Sequence, residues 1–221
     1  MVEYAHELNK NYKKDPRLTI VSNLTMMNET IANWLTDHDV TICTSLDGPK
    51  HIHDKNRFIL VREGKEVGTH DLVVSWIRRI NQLYKEKKKP FIVNALMTVT
   101  KYSLPYHKEI IDEYVGLGIS LVDVRALTMV GNVYNKEAKD YLYTKEEFID
   151  FYNASIKYID ELKEKGVKID DRMRKLYDTK IFENTPTYHI VTGILRGPMD
   201  HLLLQAYLEH YAWRRTSQVS S

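Results

Sequence analysis

Cysteine is almost missing from this chain: Cys43 is the single one in 221 residues. That excludes an intramolecular disulfide, and it excludes a thiolate-held metal cluster assembled by this chain alone. An excess of one charge is missing too. Lys and Arg total 32 against 30 Asp and Glu, a net charge of +2. So small an excess gives no electrostatic case for nucleic acid or an anionic membrane surface, and neither is expected as a partner. No stretch approaches the ~20 consecutive apolar residues of a membrane span. Met1-Val2-Glu3-Tyr4 lacks the apolar core of a signal peptide, so a cytoplasmic location is the expectation. His51 and His53 are close in sequence, but they fall in an expected loop without zinc-motif spacing, and no metal site is expected.

What is present is a globular balance, 43% hydrophobic and 28% charged, in a length that suits one domain with a sizeable core. Strand-like and helix-like segments alternate. Leu18–Ser22, Asp39–Ser45, Phe91–Val99 and Ile119–Arg125 read as strands, rich in β-branched residues and bounded by turn signals. Asn28 is placed to cap a helix carrying Ile31, Trp34 and Leu35. Val73, Trp76, Ile77, Ile80 and Tyr84 recur at helical spacing, and Pro90 marks that helix as over. Ser103 is expected to cap a helix bearing Ile110, Ile111 and Tyr114, stopped by Gly116 and Gly118. Thr144 and Glu147 form a capping box before Phe148, Tyr152, Ile156 and Ile159. A last amphipathic helix is expected over Asp170–Phe182, and the polar stretch His53 to Arg57 is read as loop.

This alternation predicts an α/β fold: a partial parallel (β/α) barrel with about four to five core strands and flanking helices, too few to close a barrel of eight. Residues 1–190 are assigned to it, and 191–221 to an atypical tail. Met199 to Trp213 is apolar enough to be a docking helix, an interface or a non-native tail.

Parallel β/α folds bind ligands at the carboxyl ends of their strands. That rule selects Asn23 and Thr25, Ser45 and Asp47, Thr98 and Thr100, and Arg125. The set is polar, suited to ribose hydroxyls, a carboxylate and an ammonium group. It holds no nucleophile–base pair and no closely spaced carboxylate pair, which argues against hydrolysis.

Ser22-Asn23-Leu24-Thr25, then Ser45-Leu46-Asp47-Gly48-Pro49, then His53-Asp54-Lys55-Asn56-Arg57, together resemble the middle of radical S-adenosylmethionine enzymes. The likeness is to the branch of anaerobic sulfatase-maturating enzymes and peptide maturases, which carry a cysteine-rich (SPASM-type) extension. Val124-Arg125-Ala126-Leu127 with Gly131 adds to it, and the likeness runs over residues 15 to 190. It implies a cofactor, S-adenosylmethionine, beside a 4Fe-4S cluster, a 5′-deoxyadenosyl radical that takes a hydrogen atom, and a peptide or protein substrate. It implies Asn23 beside the cofactor, Ser45 on its ribose or amino-acid end, Asp47 shaping the loop, and Arg57 or Arg125 balancing its carboxylate. Thr25 joins that cofactor-binding set; the catalytic residues stay unassigned.

The chain departs from the pattern where the family's C-x-x-x-C-x-x-C loop and later cysteines would stand. A fragment lacking the cluster-binding cysteines is the expectation, inactive on its own, with the segment from Leu195 onward read as a shifted reading frame. The alternative is a non-catalytic peptide-binding module derived from the same fold. Plainer readings stand beside each residue: Asn23 bonding its own backbone, Asp47 as a turn former, Arg57 pairing with Asp54 on the surface, Arg125 paired and half-buried, and Cys43 as a small core residue. The oligomeric state is left open.

Overall fold

The computed structural model describes residues 2–12, 17–60, 65–127 and 139–175, without the side chains at 9–11 and 60. In chain order the elements are α1 (Val2–Tyr12), β1 (Thr19–Ser22), α2 (Glu29–Asp37), β2 (Thr41–Ser45), α3 (Lys50–Asn56), β3 (Phe58–Leu60) and β4 (Glu66–Gly68). They continue with α4 (His70–Glu86), β5 (Asn94–Thr98), α5 (His107–Gly116), β6 (Leu121–Arg125), α6 (Lys145–Glu164) and β7 (Asp170–Asp171).

Five strands form one parallel sheet in the order β1-β2-β5-β6-β7. The order runs in one direction, with no reversal. Right-handed crossovers taken always in the same direction put every connecting helix on the same side of the sheet. The burial pattern agrees. Ile42, Ala95, Met97, Val122 and Val124 are in the apolar core with Leu35, Ile77, Ile110, Phe148 and Ile156 of the helices. Their neighbours along the strands, Thr41, Ser45, Asn94, Leu96, Thr98 and Leu121, face the other way and are only half-buried. Parallel sheets are usually covered on both faces. Here, among the described residues, one face is clothed in helices and the other is polar and partly exposed.

Local chemistry accounts for several elements. The Asn28 carboxamide accepts from the Ile31 N–H and starts α2. At α6 the Thr144 hydroxyl accepts from the Glu147 N–H while the Glu147 carboxylate accepts from the Thr144 N–H, the reciprocal arrangement expected. The buried Tyr84 and Tyr114 hydroxyls donate to the carbonyls of Val40 and Leu46, tying α4 and α5 to β2.

The structure corrects three expectations and adds a hairpin and a helix that the sequence reading did not contain. His53 to Asn56 is helical, part of α3, because Ile52 and His53 are buried on tertiary contacts that a short polar segment does not advertise. A hairpin of β3 and β4 follows it, pairing Ile59 with Val67. Ser103 does not cap α5: its hydroxyl accepts from the Thr100 N–H, and a 3-10 turn over Leu104–Tyr106 precedes the helix. Asp170 and Asp171 are strand, not helix, because they pair with Leu121 and Val122; helical backbone begins at Arg172, and residues past 175 lie outside the described set. Helix α1 had no counterpart in the sequence reading.

Candidate functional site

At the carboxyl end of β2 the chain enters a hydrogen-bonded lock. The Asp47 carboxylate is 1% exposed. It accepts from the Arg57 Nε (2.8 Å) and Nη2 (3.2 Å), from the Thr98 N–H at the end of β5 (2.9 Å) and from the Asn56 amide (3.3 Å). Four donors on one buried carboxylate satisfy it as fully as its geometry permits. The Asp47 N–H in turn donates to His53 Nδ1 at 3.2 Å. That fixes the imidazole proton on Nε2, 3.0 Å from the Thr69 hydroxyl, which is placed to donate to the Arg57 carbonyl. Burial, the largest cause, holds His53 down to about 4, so the ring is neutral. Gly48 completes the turn. Its φ is +122°, and a Cβ there would lie 2.6 Å from Ile110 Cγ1, so both conformation and space demand glycine.

The lock gives Asp47, Gly48, His53 and Arg57 of the Ser-Leu-Asp-Gly-Pro and His-Asp-x-x-Arg pattern a structural job. Asp54 does not meet Arg57; it accepts from the His70 N–H at the start of α4 and pairs with Lys50. Its carboxylate also lies where a Cβ on Gly68 would sit. Arg57 is engaged with Asp47, which corrects the expectation of a surface pair with Asp54.

Other rim residues are less occupied. The last pairing of the first two strands is Ser22 with Thr44, so Asn23 and Ser45 follow side by side on the same rim. Asn23 accepts from the Thr25 N–H (3.2 Å) and hydroxyl (2.8 Å), a local turn that engages both of these expected cofactor contacts with each other. The Ser45 hydroxyl is half-exposed and makes no hydrogen bond among the described residues. Thr100 donates to the Asn56 carboxamide at 3.0 Å.

On the helix-free face, Arg125 donates from Nε (3.3 Å) and Nη2 (3.0 Å) to Asp123 of the same strand. Asp123 is buried; the Arg125 side chain remains 55% exposed. Arg172 approaches the same carboxylate from beyond β7, at 3.8 Å. Sequence reasoning missed Asp123 and Arg172, although opposite charges two apart on a strand, as in Asp123-Val124-Arg125, mark a shared face. Cys43 is buried, in keeping with its reading as a small core residue; by register it lies on this polar face, opposite Asn94 of β5 and near Asp123, Arg125 and Arg172.

The coordinates resemble solved structures. Native anSMEcpe with bound AdoMet and Kp18Cys peptide superposes with a TM-score of 0.64 at 20% identity, covering 85% of this chain and 50% of that one. Native anSMEcpe with bound AdoMet gives 0.63 at 20%, with the same coverage. Streptococcus suis SuiB gives 0.50 at 14%, covering 69% of this chain and 31% of that one. The described residues share with anSMEcpe an α/β fold, a parallel five-strand sheet with flanking helices. At these identities the likeness speaks for the fold alone, and this chain spans half or less of the length of those proteins. No protein-family model matches the sequence, and no curated protein does. No helix among the described residues is long and apolar enough to cross a membrane.

The iron–sulfur cluster of radical S-adenosylmethionine enzymes does not fit this chain's own donors. Cluster ligation takes several thiolates. Cys43 is alone, sits mid-strand in β2 and has its thiol pushed up, chiefly by burial, away from the thiolate. No group of His, Cys, Asp and Glu among the described residues is arranged to hold a metal ion.

Proposed function

We propose that this chain is a cofactor-binding α/β portion of the radical S-adenosylmethionine maturase type, which holds S-adenosylmethionine on its helix-free face and does not cleave it unaided. One observation carries the reading: a parallel sheet wound in one direction leaves, among the described residues, a polar and partly exposed face, in the fold of proteins solved with AdoMet bound. The donors there suit such a ligand. The Ser45 hydroxyl is unengaged and suits a ribose or amino-acid oxygen. Both arginines named from the sequence are paired, Arg57 with Asp47 and Arg125 with Asp123, but the Arg125 side chain is 55% exposed and is the better placed to meet a carboxylate. Asn23 and Thr25 shape the β1 end of the same rim. Asp47 acts at one remove, by fixing the rim's geometry.

When bound in a maturase, S-adenosylmethionine supplies an adenosyl radical for hydrogen-atom abstraction; this chain's residues bind, orient and shield it. The substrate class that goes with this reading is a peptide or protein, as anSMEcpe is solved with a bound peptide.

Equilibrium dialysis of the full chain against S-adenosylmethionine tests the proposal, with an iron and sulfide assay after anaerobic reconstitution. The reading predicts binding without stoichiometric iron, weakened about tenfold by Ser45→Ala or Arg125→Gln. No binding by the folded protein contradicts the cofactor reading; four-iron loading contradicts the cluster reading.

A second reading, a peptide-binding module without catalysis, draws on β1. It is an edge strand whose Val21 is 68% exposed, able to pair with an extended peptide. Peptide binding that persists where S-adenosylmethionine binding is absent favours it.

A further inference from the structure

We infer that Arg172 is the receptor for an acidic side chain of the peptide substrate. The argument is one of charge on the helix-free face. The residues of β1, β2, β5 and β6 that share that face are Thr19, Val21, Thr41, Cys43, Ser45, Asn94, Leu96, Thr98, Leu121, Asp123 and Arg125, by strand register. Only Asp123 and Arg125 among them are charged, and two hydrogen bonds join them as a neutral pair.

Asp170 of β7 shares the face through its pairing with Leu121, but its carboxylate is taken by Arg174 at 2.8 Å and Lys163 at 3.3 Å, so Arg172 adds a charge with only the already paired Asp123 beside it. Asp171 turns to the helices, where its carboxylate accepts from Tyr152 of α6; Arg172, where helical backbone begins, reaches back to Asp123 on the opposite face. The guanidinium stops 3.8 Å from Asp123, beyond hydrogen-bond distance, and no other acceptor among the described residues engages it. Its side chain is 43% exposed. A planar fork of N–H donors, half-sheltered beside a neutralised carboxylate, is built to receive a second carboxylate bidentately.

The location points to the peptide and not to the cofactor. Ser45 lies on β2, and β5 separates β2 from β6. Two strand spacings put the two rims about 10 Å apart, and Arg172 lies farther still, past β6. Arg125 stands between them and serves the cofactor's carboxylate. The inference rests on the proposed function for its peptide; the recognition of a carboxylate stands on the charge arrangement.

The experiment measures fluorescence polarisation of labelled, blocked peptide libraries in which one central position is Glu, Gln or Lys, against the full chain. Wild type is expected to bind the Glu pool about tenfold tighter than the Gln pool. Arg172→Gln is expected to erase that preference, and Arg172→Lys to keep part of it. S-adenosylmethionine binding by dialysis and the thermal midpoint are expected to be unchanged in both variants. A wild type without Glu preference, or a preference that survives Arg172→Gln, overturns the inference. So does loss of S-adenosylmethionine binding in Arg172→Gln with the Glu preference intact. A preference that depends on Arg172 in a protein that binds no S-adenosylmethionine upholds this inference and defeats the cofactor reading.

Discussion

Two charged clusters flank the same sheet and treat their carboxylates differently. Around Asp47 every strong donor is turned inward: two from Arg57, one from Asn56 and the Thr98 N–H. Around Asp123 one arginine is engaged and a second stands by without a hydrogen bond. A satisfied buried cluster fixes a shape and has little left to offer a ligand. A partly satisfied one on an exposed face has donors to give. On the proposed reading, the comparison divides these residues into those that build the rim, Asp47, His53 and Arg57, and those with donors to offer a ligand, Ser45, Arg125 and Arg172.

Breaking the first cluster is expected to do the greatest damage. Arg57→Ala leaves the Asp47 carboxylate buried with only neutral donors and should cost about 3 kcal/mol, read as a lowered urea midpoint at neutral pH. The equivalent change at the second cluster, Arg125→Ala, should cost less, about 1 kcal/mol, because Arg172 stands 3.8 Å from the Asp123 carboxylate and can take over its charge. Equal losses at the two sites would erase the distinction. Gly48→Ala comes next. Positive φ and the contact with Ile110 should together cost about 2 kcal/mol, seen as a lower thermal midpoint, while Gly116→Ala, with nothing within 4 Å, should not destabilise.

The pH response sharpens the contrast. His53 is held near 4 against an ordinary 6.5, so the unfolded chain takes up its proton first as pH falls. Stability from the neutral ring is complete above pH 6.5 and is lost as pH falls through 4. Asp171, raised to about 6 chiefly by burial, works the other way: its stabilising proton is lost as pH rises from 3.8 through 6. The two trends oppose between pH 4 and 6. Wild type should therefore show a shallow profile there in urea titrations. Asp171→Asn should rise more steeply with pH, and His53→Gln should fall. The smallest stability effect is expected at Ser45→Ala, within about 0.5 kcal/mol, with its consequence confined to ligand binding.

Strands β1, β2, β5 and β6 and the caps at Asn28 and Thr144 were legible because their causes are local. β-branched runs, the Asn28 cap and the Thr144–Glu147 box all act within a few residues, and the alternation of elements then implied a parallel sheet. α3 was not legible, since a seven-residue polar helix without a side-chain cap owes its existence to the burial of Ile52 and His53. The lock was legible as a sequence pattern but not as a structure. Its bond from Thr98 to Asp47 spans 51 residues, and nothing near Asp47 signals that its partner is Arg57 and not solvent or ligand. Arg172 escaped notice because it lies beside a strand of two residues that was read as helix.

Hydrogen–deuterium exchange of the full chain with and without S-adenosylmethionine tests the central claim most directly. If the helix-free face holds the cofactor, added ligand should slow exchange at the carboxyl ends of β2, β5 and β6, around Ser45, Thr98 and Arg125, and leave the outer surfaces of α2 and α4 unchanged. Protection confined to those helix surfaces, or none anywhere at saturating ligand, would contradict it.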